Sequence, residues 1–576
     1  MSLAGHNHVP TQLRAKSPIV WLMLLGAYLN AAAYGFKFSS TYDYDVLLPL
    51  MNWLRDPSLY PGDALRVDSS PFLIMFWWVV AKLSNYFSTE HILFVAFLLT
   101  KLMFFFAIAR LVWATTRSRA FSACIISVVA LSPLLNSAMP FGGSRVLLPI
   151  ETHFSFGFAL LVLAGVLLME GRWWWAVVLA SLGVYVDALV FLFTLFAFAA
   201  FALADWKQHK WRVLGAGILG AALSVPWAIL SRQSVQSAIP PEFLQALFTF
   251  DPVHFTLQWT AVSNLLKGMA IIIAAAWMAI LARRAGIPPH RRFEILTASY
   301  LMPLMLGIFF GELYRYAPFV RMHLMRADSF LVPYALLLIQ IYGANLLVSR
   351  ASLFPLTSFF LGIAALVFPL SMTLGTAPIF LGLLFETDPE KRFEALAGKA
   401  AGPLTRSVSR IPIRYSAAAL CGAAALVAFL MTVPGVTRLW NVFQPLTPVE
   451  SACVDLQRWM KTHTTPQAQF LVPTVSCGFR SFSERTTWGE WADGNHMIAH
   501  PPFATIYLQR IADLGLPAGA PLEFSYLQEN YKGLPWKRMV EIARKNRLDF
   551  VVQFKDISYP ALPIYENQEF ALYQVP

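Results

Sequence analysis

The chain has 576 residues, of which 57% are hydrophobic and only 13% charged. Soluble domains carry about a quarter charged residues, so a soluble globular protein is excluded. The formal charge is +12, but residues 435–576 hold 13 basic and 13 acidic side chains, so the whole excess belongs to residues 1–434. Enrichment of cytoplasmic loops in Lys and Arg produces that distribution, and no nucleic-acid partner is inferred from it.

Arg14 and Lys16 precede the first apolar stretch, and no small-residue cleavage site ends it. It is therefore expected to be an uncleaved first helix, 19–36, rather than a signal peptide. Apolar runs of the length needed to cross a bilayer recur at 91–112, 120–138, 154–170, 175–187, 188–204, 213–230, 261–282 and 294–311. Further candidates are 329–348, 353–372, a short 376–386, and 414–434, which predicts about 11–13 spans.

Basic clusters orient these spans. Arg117/Arg119, Lys207/Lys210/Arg212, Arg283/Arg284/Arg291/Arg292 and the run from Lys391 to Arg414 all face the cytoplasm on one condition. The apolar segment Pro71–Tyr86 must lie along the outer surface or re-enter. The outer side then receives the long loop 37–90, the loops 139–153, 231–260 and 312–328, and the tail that follows 414–434. Closing this topology needs 376–386 to cross or to pair with 353–372 as a hairpin.

Residues 1–434 are thus expected to form a membrane domain and residues 435–576 a small soluble α/β domain outside the cytoplasm. Within the tail, 450–462 has helical spacing (Val454, Leu456, Trp459, Met460) and Ala468–Val472 is strand-like. Residues 536–546 again look helical, and Leu548–Phe554 and Phe570–Val575 look like strands. About 140 residues can bury a core of their own. Cys124 and Cys421 lie in apolar spans as packing residues, whereas Cys453 and Cys477 in the tail can pair in an oxidising compartment.

Three outer clusters could carry chemistry. The first loop holds Asp43 and Asp45 close to the first span, and a carboxylate there can take a proton from an acceptor hydroxyl or bind a divalent cation. Loop aspartates are also turn formers and caps, the expected role of Asp56 and Asp63. The second cluster is Arg145, Glu151 and His153, ahead of the span 154–170, where a second carboxylate beside a histidine suits metal binding or orientation of a sugar hydroxyl. The bland alternative for Glu151 is an acid favoured by a helix dipole. The third holds Arg315, Arg321, His323 and Arg326, together with Glu312 and Asp328. Arginines on the outer side run against the charge rule, and their forked donors match phosphate oxygens. They could instead hold lipid headgroups or pair with the two acids. Asp187, flanked by apolar sequence, is either at an outer helix end or a buried polar partner.

A first helix followed by an acidic outer loop, a Glu/His site, an Arg-rich outer loop and a small outer domain together resemble the GT-C glycosyltransferases. The local sequences Asp45-Val-Leu-Leu-Pro49, Arg55-Asp-Pro-Ser-Leu-Tyr-Pro-Gly-Asp63, Trp459-Met-Lys-Thr-His-Thr-Thr-Pro466, Phe470-Leu-Val-Pro473 and Gly478-Phe-Arg-Ser-Phe-Ser-Glu-Arg485 look like those of a bacterial, uncharacterised branch. The resemblance implies a GT-C-like helical polytopic membrane protein of the bacterial inner membrane. Its active face and C-terminal domain would be periplasmic, and its donor a polyprenyl-phosphate sugar. Asp43 or Asp45 would be the base or a metal ligand, Glu151 the second acidic site, and Arg321 or Arg326 the phosphate contact. His153, Arg145, Arg315 and His323 would be further substrate contacts, and a divalent cation (Mg or Mn) would sit on Asp45 and Glu151. The sugar would pass to an extracytoplasmic glycan, lipid or protein. The family's simple paired-acid pattern is blurred here, since two aspartates compete for one role. A transporter or flippase of lipid-linked glycans and a non-catalytic membrane scaffold are the rival expectations; fold analogy does not decide among them.

Overall fold

The computed structural model describes residues 18–41, 43–67, 75–136, 138–230, 238–257, 260, 262–349, 442–474, 477–515 and 524–576. The expected spans 353–372, 376–386 and 414–434, the basic run from Lys391 to Arg414 and the boundary at 434/435 lie outside them.

The membrane part is helical. Its elements are α1 (Ile19–Tyr34), α2 (Tyr44–Arg55), α3 (Met75–Leu83), α4 (Thr89–Thr116), α5 (Arg119–Ala130), α6 (His153–Met169), α7 (Trp173–Val186) and α8 (Ala188–Leu230). They continue with α9 (Phe243–Phe250), α10 (Val262–Arg284), α11 (Arg291–Ser299), α12 (Leu301–Ile308) and α13 (Asp328–Ser349). Six helices among the described residues are long and apolar enough to cross a membrane, and α1, α6 and α7 are shorter apolar ones. The chain is a multi-pass membrane protein. Ser88, Ser118 and Thr152 cap α4, α5 and α6, each accepting a backbone N–H of the first turn.

The expected spans 188–204 and 213–230 are two arms of α8, broken at His209 by a non-helical residue (φ −135°, ψ 28°). The second arm returns along α7: Gly215 lies against Trp174, Gly220 against Val177, and Tyr185 Oη donates to the Leu223 carbonyl. The break falls within the cluster Lys207/Lys210/Arg212. Helix directions then bring the reversals at Arg117–Arg119, His209 and Arg284–Arg291 to one end of the bundle. Ion pairs tie that end together, with Arg292 bonded to Asp205 (2.7 and 2.9 Å) and to the carbonyls of Leu168 and Met169. Arg110 pairs with Glu170 there.

The first outer loop folds at the other end. Helix α3 has nine residues, about 14 Å, too short to cross. It packs with α2 and the start of α4 in a cluster that includes Leu47, Leu48, Trp77, Val80 and Phe97. The described part of the segment Pro71–Tyr86 therefore lies against the bundle end.

The tail is an α/β unit with strands β1 (Gln469–Leu471), β2 (Thr486–Trp488), β3 (Phe550–Phe554), β4 (Tyr565–Glu566) and β5 (Phe570–Gln574), in the order β2-β1-β3-β5-β4. Strands β1, β2 and β3 are parallel, while β5 is antiparallel to both β3 and β4. Helix α14 (Pro448–His463) opens with a capping box between Thr447 and Glu450 and buries Leu456 and Met460. The expected helices and strands are all present. Strand β2 and the helices α15 (Phe503–Asp513) and α16 (Phe524–Lys532) were not signalled by the sequence. Cys453 and Cys477 are joined in a disulfide, closing a separation of 24 residues.

The tail is docked on the first outer loop by buried polar contacts. Arg480, 2% exposed, lies against Asp63 (2.8 Å), Asp493 (2.7 Å) and Glu490 (3.4 Å). Asn52 donates to the Ser481 carbonyl, Ser481 Oγ to the Tyr44 carbonyl, and Tyr60 Oη to the Arg480 carbonyl. Lys37 pairs with Glu450 at 2.6 Å. Gly478 has φ +57°, and a Cβ there would run into the Ser40 carbonyl and lie 2.8 Å from Asp45 Cα. Only glycine fits that approach.

Candidate functional site

A cavity of about 320 Å³ opens where the helix ends opposite the basic end, the loop 37–90 and the tail meet. Helix α2 supplies Asp45 in its first turn, with Asp43 just before it. His153 opens α6, Asp187 joins α7 to α8, and the segment after α9 brings Asp251 and His254. His323 and Arg326 come from the turns leading into α13, and Trp491, Asn495 and Ile498 of the tail form the roof.

The bonds that hold these groups are specific. Asp187 Oδ1 accepts the N–H groups of Leu189 and Val190, capping α8, which leaves Oδ2 at 3.8 Å from His153 Nε2. Trp77 Nε1 can only donate, so His153 Nδ1 accepts it (3.1 Å) and Nε2 carries the ring proton toward Asp187. His254 Nδ1 donates to the Gly142 carbonyl (2.6 Å), with Nε2 at 3.3 Å from Asp251. Burial, helped by Arg326, outweighs the pull of Asp251 and holds His254 below its ordinary pKa. Arg326 Nε donates to Ser144 Oγ (2.6 Å) and its guanidinium lies 4.6 Å from the Phe154 ring. Its two terminal amino groups have no protein partner among the described residues. The loop carrying Ser144 is fixed in turn by Asp328, which accepts from the N–H groups of Phe141 and Gly142.

Asp45 is 8% exposed and makes no ion pair among the described residues. Burial first, then the nearby charges of Asp43 and Glu490, push its carboxyl well above the usual range; Arg480 and the Val46 N–H oppose this weakly. A carboxylate held that way is a better proton acceptor near neutral pH than an ordinary aspartate.

The sequence-predicted residues divide. Asp43, Asp45, His153, His323 and Arg326 share the cavity. Glu151 does not enter it, against the expectation that it would face Asp45. Its carboxylate is fully buried, accepts from Thr100 Oγ1 (2.8 Å) and feels the charge of Lys101 of α4, whose Nζ donates to the Leu148 carbonyl; its N–H donates to Tyr44 Oη. Burial raises its pKa, partly offset by Thr100 and Lys101. Asp45 and Glu151 therefore do not form a shared cation site, and among the described residues no group of three or more His, Cys, Asp or Glu is gathered to hold a metal. Arg321 donates to the Ile498 carbonyl and so braces the roof without lining the cavity. Arg145 is exposed outside the cavity, and Arg315, also exposed, lies over the Phe248 ring at 5.6 Å.

Asp251, His254, Trp491 and Asn495 were missed by sequence reasoning. The first two sit in the expected outer loop 231–260, where an Asp/His pair three residues apart was the available signal. Nothing local in the tail marks Trp491 or Asn495, because their place depends on docking through Arg480.

No family model and no curated protein matches the chain. Its structure is similar to the crystal structure of ArnT from Cupriavidus metallidurans in the apo state, with 13% identity, 96% of this chain and 98% of that chain covered, and a TM-score of 0.44. It is likewise similar to ArnT from the same organism bound to undecaprenyl phosphate, with 13% identity, 97% of each chain covered and a TM-score of 0.41.

Proposed function

We propose that the cavity is the active site of a bacterial inner-membrane glycosyltransferase. It would move a sugar from a polyprenyl-phosphate-linked donor to an acceptor outside the cytoplasm. The observation that carries this assignment is that Asp45 and Arg326 border one cavity while neither makes an ion pair among the described residues. Asp45 removes the proton of the acceptor hydroxyl as its oxygen attacks the anomeric carbon. The carbon–oxygen bond to phosphate breaks, its electron pair stays on the phosphate, and the anomeric configuration inverts. The terminal amino groups of Arg326 donate to the departing phosphate oxygens, whose charge is worth most to neutralise in a partly buried site. The donor sets present do not fit a cation between Asp45 and Glu151, so no step passes through one.

Orientation follows from charge. The basic end is read as cytoplasmic and the cavity and tail as periplasmic, a reading that the Cys453–Cys477 disulfide supports, since it is stable in an oxidising compartment. The test is purified protein offered a panel of undecaprenyl-phosphate-linked sugars, scored for binding and for turnover beside D45N and R326Q. Binding with turnover lost in D45N is expected. Folded wild-type protein that binds no lipid-linked sugar would sink the assignment, and transport unchanged in D45N would favour a flippase.

A further inference from the structure

His323 departs from two local rules. Its φ of +51° lies in the left-handed region, which non-glycine residues seldom occupy. Its ring is buried, with the residue 3% exposed, yet neither Nδ1 nor Nε2 has a hydrogen-bond partner among the described residues. Buried polar atoms are nearly always satisfied, and each one left alone is costly. The exception lies on the cavity wall. Phe255 packs against the ring at 4.4 Å, and His254, held by Gly142 and Asp251, stands 6.2 Å away and cannot turn to meet it. The Arg326 N–H donates to the His323 carbonyl, so the turn that strains His323 also sets the arginine on the same wall.

We propose that His323 binds the ring hydroxyls of the donor sugar, next to the phosphate held by Arg326. This rests on the cavity being the donor site. A neutral imidazole presents one donor and one acceptor. Phosphate oxygens only accept, so a phosphate would satisfy one nitrogen and press its charge on the lone pair of the other. Hydroxyls donate and accept, and two neighbouring hydroxyls satisfy both. The ligand class is therefore a sugar that keeps adjacent free hydroxyls on the face turned to α13. A sugar deoxygenated or fully substituted there loses the contact.

The test compares affinities for an undecaprenyl-phosphate-linked hexose and for sugar-free undecaprenyl phosphate in wild type, H323F and H323Q. H323F keeps a ring against Phe255 but removes both nitrogens. It is expected to weaken the hexose lipid by about tenfold or more while leaving the sugar-free lipid within about twofold. H323Q, with a donor and an acceptor, should recover most of the loss. Equal losses on both lipids, or none on either, overturn the proposal. Wild-type protein that binds neither lipid instead overturns the donor-site assignment. Should H323F not fold, nitrogen-15 signals of the wild-type His323 ring decide: they should shift with the hexose lipid and not with the sugar-free one, and equal shifts or no shift overturn it.

Discussion

At the basic end of the bundle, charges are neutralised in pairs: Arg292 with Asp205, Arg110 with Glu170, Arg283 with Glu294. At the other end Asp45, buried, and Arg326, half-buried, border a cavity and make no ion pair among the described residues. The contrast separates two uses of charge in a lipid-embedded protein. Paired charges fasten helix ends together. Charges kept partly buried without a partner are costly, and folding alone gives no reason for them. Glu151 is the instructive intermediate: it lies near the cavity end, but Thr100, Lys101 and Tyr44 treat it as a fastening.

The contrast is broken most directly by exchanging the two carboxylates' neutral forms. D45N should lower transfer by about 10²–10⁴-fold, whereas E151Q should lower stability and leave the turnover of folded protein nearly intact. Equal losses in rate would erase the distinction. The wild-type rate should rise with pH through a pKa well above the ordinary aspartate range, because the base must be ionised, and this limb should vanish in D45N.

Next in size is the fastening of the tail. R480M leaves Asp63, Glu490 and Asp493 buried around a missing cation and should cost about 3–5 kcal/mol, read as a lower thermal midpoint. R292M removes a pair whose arginine is 37% exposed and should cost about 1 kcal/mol or less. C453S opens the 24-residue closure and should cost roughly 3 kcal/mol, measured the same way.

A further way to sharpen the comparison is pH. Burial raises the Glu490 carboxyl from 4.5 to about 7 against the pull of Arg480. The folded state then holds a proton that the unfolded chain releases, so this residue's contribution to stability falls as pH rises from about 4.5 to about 7. E490Q should flatten that slope in thermal midpoints taken across this range. A slope unchanged in the variant would show that another group sets it.

Much of the fold was legible because it rests on short-range signals. Apolar runs located the helices, basic clusters located their reversals, and even the paired arms 188–204 and 213–230 were separable at Lys207–Arg212. Asp43, Asp45, His153, His323 and Arg326 were legible as polar residues beside the ends of apolar spans away from the basic clusters. Glu151 misled because sequence shows that a carboxylate is near a membrane face but not that Lys101 and Thr100, some fifty residues earlier, turn toward it. Trp491 and Asn495 were invisible for the converse reason. Their position is set by Arg480 meeting Asp63 across more than four hundred residues, and no local pattern encodes such a meeting.

The contact of Gly478 beneath Asp45 has a consequence for biogenesis. Every described membrane helix precedes the tail in the chain, so ribosomes finish the bundle before the segment that roofs the cavity exists. Half-made or truncated polypeptides hold the acidic helix without its buttress. The enclosure is therefore assembled last, once the tail has been made and has docked on the acidic helix.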